Sequence, residues 1–135
     1  MHVQFTLPCR PFSVNAQYCR DRRYKTADAK DWESMVAQHL DEIKDLTELA
    51  LEFNERGGQF RVKLTFVYPH HVFFNQQGQI SAKTQDLSNC EKMLIDMIFG
   101  HRMDVNDRFI CELHSRKIVG ATYEIRVELE LEAYC

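Results

Sequence analysis

The sequence lacks three features that would each point to a particular class of protein. No apolar run approaches the roughly 20 residues needed to span a bilayer. The amino terminus shows no basic segment followed by an apolar stretch and a small-residue cleavage site. The five cysteines contain no C-x-x-C pair and no Cys/His spacing of the zinc-finger kind. We therefore expect a cytoplasmic protein with reduced thiols, no membrane association and no structural zinc.

The sequence also lacks a surplus of positive charge. There are 17 Lys and Arg against 20 Asp and Glu, a net charge of −3. This argues mildly against a protein that coats nucleic acid, because phosphate neutralisation requires basic side chains. The charges are unevenly distributed, since residues 10–25 carry five bases and one acid whereas residues 28–56 carry nine acids and three bases. A basic segment and an acidic helical region are therefore expected in one molecule.

No internal repeat or low-complexity tract divides the chain. Its 135 residues, 44% of them hydrophobic, suffice for one core, so we expect a single domain over residues 1–135. Gly120 predicts a hairpin between the last two of four strands. Alternating apolar residues place the four predicted strands at residues 2–7, 60–69, 109–119 and 122–133.

Helical periodicity occurs in two regions. Between the basic segment and Gly57, apolar residues recur every three or four positions, which fits one long helix or two abutting ones. A later helix is expected from Ser88 to Phe99, with Ser88 and Glu91 in the spacing of a capping box and Gly100 at its end. The predicted fold class is α+β: a small, mostly antiparallel or mixed sheet with helices packed on one face.

Charged side chains gather around this later helix. Asp86 precedes it, Lys92 and Asp96 lie four residues apart on one face, and Asp104 and Asp107 lie in the following turn. If the next strand returns beside the helix, one of the later aspartates would meet Asp86. Carboxylates gathered in this way bind Mg²⁺, which activates water and stabilises charge on a phosphodiester. The alternative is a set of solvated turn residues, because aspartate is common at helix starts.

The same stretch resembles the RusA family of Holliday junction resolvases. The family's hallmark is D-x-D-N-x-x-K-x-x-x-D, followed by an aspartate pair before a strand. Its positions here are Asp86, Ser88, Asn89, Lys92 and Asp96, then Asn106 and Asp107. The features that look like the family's opening segment are Pro11, Asn15, Tyr18 and the basic stretch Arg23-Tyr24-Lys25-Thr26 before a Trp-containing helix. The resemblance covers nearly the whole chain, and the central motif is its specific part.

The resemblance implies a RusA-like fold and a metal-dependent endodeoxyribonuclease that resolves Holliday junctions and other branched DNA in recombination and repair. It implies that Asp86 and Asp107 ligate Mg²⁺ or Mn²⁺ and that Lys92 assists at the phosphate. These three are the expected catalytic residues, and Asn89 and Asp96 are expected to brace the site. Members of the family are small homodimers, many of them encoded by prophages, and we expect no small-molecule cofactor.

DNA contact is expected mainly in the basic segment. The predicted DNA-binding residues are Asn15, Arg20, Arg22, Arg23 and Lys25. Additional candidates outside the segment are Lys83, Arg102, Arg116 and Lys117.

Two positions depart from the family pattern. Ser88 replaces the second aspartate of the motif and Asn106 replaces the first of the later pair, so the site loses two carboxylates. A serine hydroxyl binds Mg²⁺ in phosphate-binding loops, which makes Ser88 a third candidate ligand, with Glu91 or Asp104 as candidates to compensate. Two alternatives stay open. One is a lapsed relative that binds branched DNA without cleaving it, and the other is an interaction module whose acidic helix 28–56 and acidic last strand bind a basic protein.

Overall fold

Residues 1–13 and 26–134, the part of the chain that the computed structural model describes, contain four α-helices and four strands. The helices are α1 (Ala27–Asp41), α2 (Lys44–Arg56), α3 (His70–Phe73) and α4 (Leu87–Ile95). The strands are β1 (His2–Leu7), β2 (Gln59–Pro69), β3 (Ile110–Gly120) and β4 (Glu124–Glu132). Short helical turns occupy Ala82–Thr84, Asp96–Met103 and Asp107–Phe109. Within these ranges, no helix has the length and apolar character needed to cross a membrane.

The four strands form one mixed sheet in the order β1-β4-β2-β3. Strand β4 is antiparallel to both β1 and β2, whereas β2 and β3 run parallel. The predicted hairpin between the last two strands is therefore wrong, because β2 lies between them. The physical reason is burial: every residue of β2 from 64 to 69 is buried, and a strand covered on both faces belongs in the interior of a sheet.

One face of the sheet carries the core. The strand side chains on this face are almost fully buried, namely Phe60, Val62, Leu64 and Phe66 of β2 with Ile125, Val127 and Leu129 of β4. The helical side chains packed against them are Trp32, Val36 and Leu40 of α1 with Leu46 and Leu49 of α2. Each fully buried aliphatic or aromatic side chain contributes about 1.5–3 kcal/mol relative to an exposed one. The predicted α+β class, with helices on one face of a mixed sheet, is confirmed.

The opposite face of the sheet is polar. Arg61 of β2 lies opposite Glu112 of β3 and forms an ion pair with it at 2.5 Å. Arg61 also forms an ion pair with Glu132 of β4 at 3.2 Å. A hydrogen bond with His114, together with the Arg61 charge, lowers the pKa of the Glu112 carboxyl. Exposed ion pairs of this kind add at most about 1 kcal/mol each. The open face is therefore solvated rather than part of the core.

The predicted helical region before Gly57 forms two abutting helices. The Thr26 hydroxyl accepts a hydrogen bond from the Ala29 amide at 3.1 Å and so caps α1. Helix α2 ends at Gly57, whose φ of 70° suits glycine and whose N–H donates to the Phe53 carbonyl at 2.7 Å. These local signals explain why both outer boundaries follow closely from sequence.

The arginine of the turn after α4 holds the junction between α1 and α2. Arg102 donates from Nε to the Leu40 carbonyl and from Nη2 to the Ile43 carbonyl, both at 2.9 Å. It also donates to the Thr47 hydroxyl at 2.7 Å. One planar guanidinium therefore adds charged donors to two carbonyls that also accept the Ile43 and Leu46 amides at 3.1 and 3.2 Å.

Two predictions about the ends of the α4 region are wrong. Asp86 is the N-cap and Leu87 the first helical residue, so Ser88 lies inside the first turn and does not start a capping box. The chain also continues helically through Gly100 as a π-helix. This π-helix is capped by Asp104, which has a φ of 55°. The wider turn keeps the apolar side chains of this segment inward. Those buried side chains are Met97, Ile98, Phe99 and Met103.

Candidate active site

The segment before α4, residues 81–86, is fixed to the sheet and is called here the anchored loop. Lys117 of β3 donates from Nζ to the Thr84 hydroxyl at 2.8 Å and to the Gln85 carbonyl at 2.9 Å. Tyr68 of β2 donates its hydroxyl to the Thr84 carbonyl at 2.6 Å. Thr84 itself is only 1% exposed. Two parallel neighbouring strands therefore set the position from which the chain enters the helix.

The backbone of the anchored loop is strained one residue before the first predicted ligand. Gln85 has φ 60° and ψ 174°, a region that residues with a Cβ rarely adopt and that costs about 1–3 kcal/mol. Such a conformation persists only where its surroundings enforce it. Here the Gln85 carbonyl is held by Lys117 and its amide donates to the Ala82 carbonyl at 3.1 Å.

Asp86 occupies the N-cap of α4 without using its side chain as a cap. Its carbonyl accepts hydrogen bonds from the Asn89 and Cys90 amides at 3.2 and 3.3 Å. An N-cap aspartate ordinarily accepts a backbone N–H with its carboxylate, but Asp86 makes no such side-chain bond and is exposed. The carboxylate is therefore available to an external ligand.

Helix α4 has one polar and one apolar face, as predicted. Ser88, Lys92 and Asp96 are exposed, and Asn89 is half-buried. The buried side chains of the same segment include Met93, Leu94, Met97 and Ile98. Within residues 1–13 and 26–134, no ion pair joins Lys92 to Asp96. The Lys92 ammonium therefore stands on the exposed face without this neighbour neutralising it.

The later acidic positions lie in the turn that leads into β3. Asp104 and Asp107 are both exposed. The Asn106 side chain accepts a hydrogen bond from the Arg108 amide at 2.9 Å and caps the short helical turn that starts at Asp107. The oxygen that replaces a carboxylate of the family pattern is thus already bonded within the turn.

The two predicted carboxylate ligands have different surroundings. Asp107 borders a shallow depression together with Ile95, the last residue of α4. Asp86 is the N-cap of the same helix. Across the described parts of the chain, no three or more His, Cys, Asp or Glu side chains come together as a metal-binding group. The roles of Asp86 and Asp107 as ligands therefore stay predictions.

The predicted DNA-binding residues fall outside the described residues. These are Asn15, Arg20, Arg22, Arg23 and Lys25. Of the additional candidates, Arg102 and Lys117 are bonded within the fold. Arg116 is exposed and donates from Nε to the Thr65 hydroxyl at 3.1 Å, and Lys83 is exposed in the anchored loop.

Sequence reasoning missed the groups that hold the anchored loop. Burial raises the pKa of the Tyr68 phenol and of the neighbouring Cys90 thiol, so both stay protonated at neutral pH and Tyr68 remains a hydrogen-bond donor. The contacts join residues far apart in the chain: Tyr68 is 16 residues and Lys117 is 33 residues from Thr84. No local spacing could have indicated them, and Lys117 was assigned instead to DNA contact.

Comparison with known proteins agrees with the arrangement of these elements. No significant match is found among curated proteins. A family model described as endodeoxyribonuclease RusA matches residues 8–131, nearly the whole chain. The matched span includes the anchored loop, α4 and the turn that carries Asp107. The chain therefore belongs to the RusA endodeoxyribonuclease family.

Proposed function

We propose that this protein is a homodimeric endonuclease that uses Mg²⁺ or Mn²⁺ to hydrolyse phosphodiester bonds in Holliday junctions and related branched DNA. Family membership supports the endodeoxyribonuclease activity. The observation that carries the proposal is Asp86, an exposed N-cap aspartate whose carboxylate does not cap its own helix. Its position on a strained loop held by two strands also favours a functional role.

The donors offered by the chain fit Mg²⁺ in kind. This ion prefers oxygen ligands, keeps several waters and is commonly held by one or two carboxylates together with substrate phosphates. Asp86 and Asp107 would supply the carboxylates and Ser88 a neutral oxygen. When bound, the metal would lower the pKa of a coordinated water and polarise the phosphodiester.

The remaining groups act through charge and position. Lys92 lies in α4 on the exposed face that also carries Ser88. Its ammonium would stabilise negative charge on the scissile phosphate or the leaving oxygen. Asn89 and Asp96 would brace the helix that carries these groups. The backbone N–H of Asn89 already donates to the Asp86 carbonyl.

Cleavage of a labelled synthetic four-way junction tests the proposal. The native protein, Asp86→Asn and Asp107→Asn are compared with Mg²⁺ and with Mn²⁺. Asp31→Asn, an exposed aspartate of α1, is the matched control. We expect paired nicks from the native protein and the control, and at least a roughly 100-fold loss in both other variants. If the native protein makes no nicks with Mg²⁺ and none with Mn²⁺, the proposal is contradicted.

Calorimetry with Mn²⁺ separates the roles of the two carboxylates. If both bind one ion, each substitution removes the same binding event. If Asp107→Asn keeps native Mn²⁺ affinity while Asp86→Asn loses it, Asp107 is not a ligand of that ion. This distinction matters because Asp86 is the N-cap of α4, whereas Asp107 borders a depression shared with Ile95, the last residue of that helix.

A lapsed, binding-only relative is the second candidate, favoured by two observations. Ser88 carries no charge, and the side-chain oxygen of Asn106 is bonded to the Arg108 amide. Ser88→Asp adds back one carboxylate on the exposed face of α4. Tight junction binding without nicks in the native protein, with nicks appearing in Ser88→Asp, would support this candidate and identify the serine as the lesion.

A further inference from the structure

The anchored loop is fixed by residues outside the family motif. Tyr68 and Lys117 belong to β2 and β3, and they reach the loop from neighbouring positions in the parallel pair. Together they donate three hydrogen bonds of 2.6 to 2.9 Å to Thr84 and Gln85. The last residue of this loop is Asp86, the predicted metal ligand.

Lys117 is used here unlike an ordinary surface lysine. The residue is half-buried, and its ammonium bonds to a hydroxyl and a backbone carbonyl. Among residues 1–13 and 26–134, no ion pair joins Lys117 to a carboxylate. Hydrogen bonds that involve a charged donor are shorter and stronger than neutral ones. The contact therefore holds the Gln85 carbonyl oxygen beside the Lys117 ammonium.

The orientation of that carbonyl determines where the next side chain points. Gln85 has a positive φ that disfavours residues with a Cβ, and the peptide plane between Gln85 and Asp86 is rigid. Holding its oxygen fixes the backbone from which the Asp86 Cβ departs. Without the anchor, Gln85 would relax toward a negative φ and the Asp86 carboxylate would move.

We propose that Lys117 and Tyr68 are positioning residues that preorganise the Asp86 carboxylate for the metal ion by holding Thr84 and Gln85 in a strained conformation. This inference rests on the proposed function, because it assigns the reason for the strain to ligand placement. Groups that orient a metal ligand commonly change metal affinity about 10- to 100-fold when they are removed.

The test compares Lys117→Met and Tyr68→Phe with Lys63→Met, an exposed lysine on the open face of the sheet. Mn²⁺ affinity is measured by calorimetry on the DNA-free protein. We expect a roughly 10- to 100-fold weaker affinity in Lys117→Met, a smaller loss in Tyr68→Phe, and native affinity in Lys63→Met. Junction binding without metal should be unchanged in Tyr68→Phe and Lys63→Met.

A second readout requires no metal. The Asn89 and Cys90 amides bond to the Asp86 carbonyl, so their hydrogen exchange reports whether the start of α4 stays in place. We expect faster exchange at these amides in Lys117→Met and Tyr68→Phe, while core amides of β4 keep native protection. If Lys117→Met does not fold, Tyr68→Phe decides the question, because it keeps the ring in the core.

The outcomes separate this inference from the proposed function. If Asp86→Asn loses Mn²⁺ affinity while Lys117→Met and Tyr68→Phe keep it, the positioning role is overturned and the ligand role of Asp86 stands. If Asp86→Asn itself keeps native Mn²⁺ affinity, the ligand role fails and the positioning role fails with it. Weaker binding in all three, with Lys63→Met unchanged, supports both.

Discussion

Two consecutive glycines after α2 meet different constraints. Gly57 has a φ of 70°, and a Cβ placed there would meet nothing within 4 Å. Gly58 has a φ of 123°, and its Cβ would collide with the Glu132 backbone carbonyl and approach Leu131 Cδ1 at 3.1 Å. Both positions strain any other residue, but only the second also lacks space.

The pair predicts unequal costs for the same substitution. Gly57→Ala should lower the free energy of unfolding by about 1–3 kcal/mol, through backbone strain alone. Gly58→Ala should cost more than about 3 kcal/mol, because β4 backbone must also move. Urea denaturation of both variants measures the difference. Equal costs would mean that the close approach of Gly58 to β4 is not maintained in solution.

A buried thiol makes stability fall at alkaline pH. Burial raises the pKa of Cys9 to about 11 from an ordinary value of 9.0. The unfolded thiol therefore ionises first, so the contribution is complete below pH 9.0 and is lost as pH rises through about 11. Over this pH window, we expect the free energy of unfolding of Cys9→Ala to fall by about 2 kcal/mol less than that of the native protein. Cys111→Ala, at an exposed thiol, is the control and should keep the native pH slope.

At the scale of elements, the helices are joined by one guanidinium rather than by packing alone. Arg102 bonds to the Leu40 and Ile43 carbonyls and to Thr47. A lysine would offer a single nitrogen in place of the fixed, planar Nε and Nη2 donors that reach the two carbonyls. The contact links the π-helix after α4 to the break between α1 and α2.

Arg102→Lys should therefore destabilise the protein by about 1–3 kcal/mol, because at least one buried carbonyl loses its charged donor. Arg56→Lys is the matched control: its only described partner is Glu52 at 3.4 Å, and its side chain is 76% exposed. Thermal and urea unfolding of the two variants compare them directly. Similar stability of both would show that the backbone amides that already bond to these carbonyls are sufficient.

Sequence patterns predicted the elements better than their connections. Alternation in β2 and β4 and the helical periodicity of α1 and α2 are local properties, and the structure confirms them. The hairpin expected at Gly120 failed because pairing depends on tertiary burial, and residues 64–69 of β2 are all buried between β4 and β3. The continuation through Gly100 was missed because glycine is a local stop signal, whereas the burial of the side chains around it is set by the fold.

The residues of the candidate site also differ in whether local sequence patterns could predict them. Asp86, Lys92 and Asp107 could be named because motif residues are close in the chain. Tyr68 and Lys117 could not, since their role exists only once β2 and β3 pair and bring them beside the loop. The candidate catalytic residues were predicted from type and spacing, whereas the residues that hold the anchored loop were seen only in the fold.

At the scale of the whole molecule, the net charge of −3 requires DNA affinity to come from a local surface. The segment 10–25 carries five bases against one acid, and it includes Arg22 and Arg23. Each phosphate contact lowers the slope of log affinity against log salt by about 0.9 for duplex DNA. If these two arginines contact phosphates, replacing both with glutamine should make the slope shallower by about 1.8 for each protomer that binds the junction.

The matched control is the double substitution Lys44→Gln and Arg56→Gln, which removes the same charge from α2. Metal-free junction binding is measured at several salt concentrations for both double variants. A pure net-charge effect would weaken binding equally in the two proteins and leave similar slopes. A shallower slope confined to the Arg22 and Arg23 variant would locate the phosphate contacts in the basic segment, because counterion release depends on contacts formed rather than on total charge. Equal slopes would assign the contacts elsewhere.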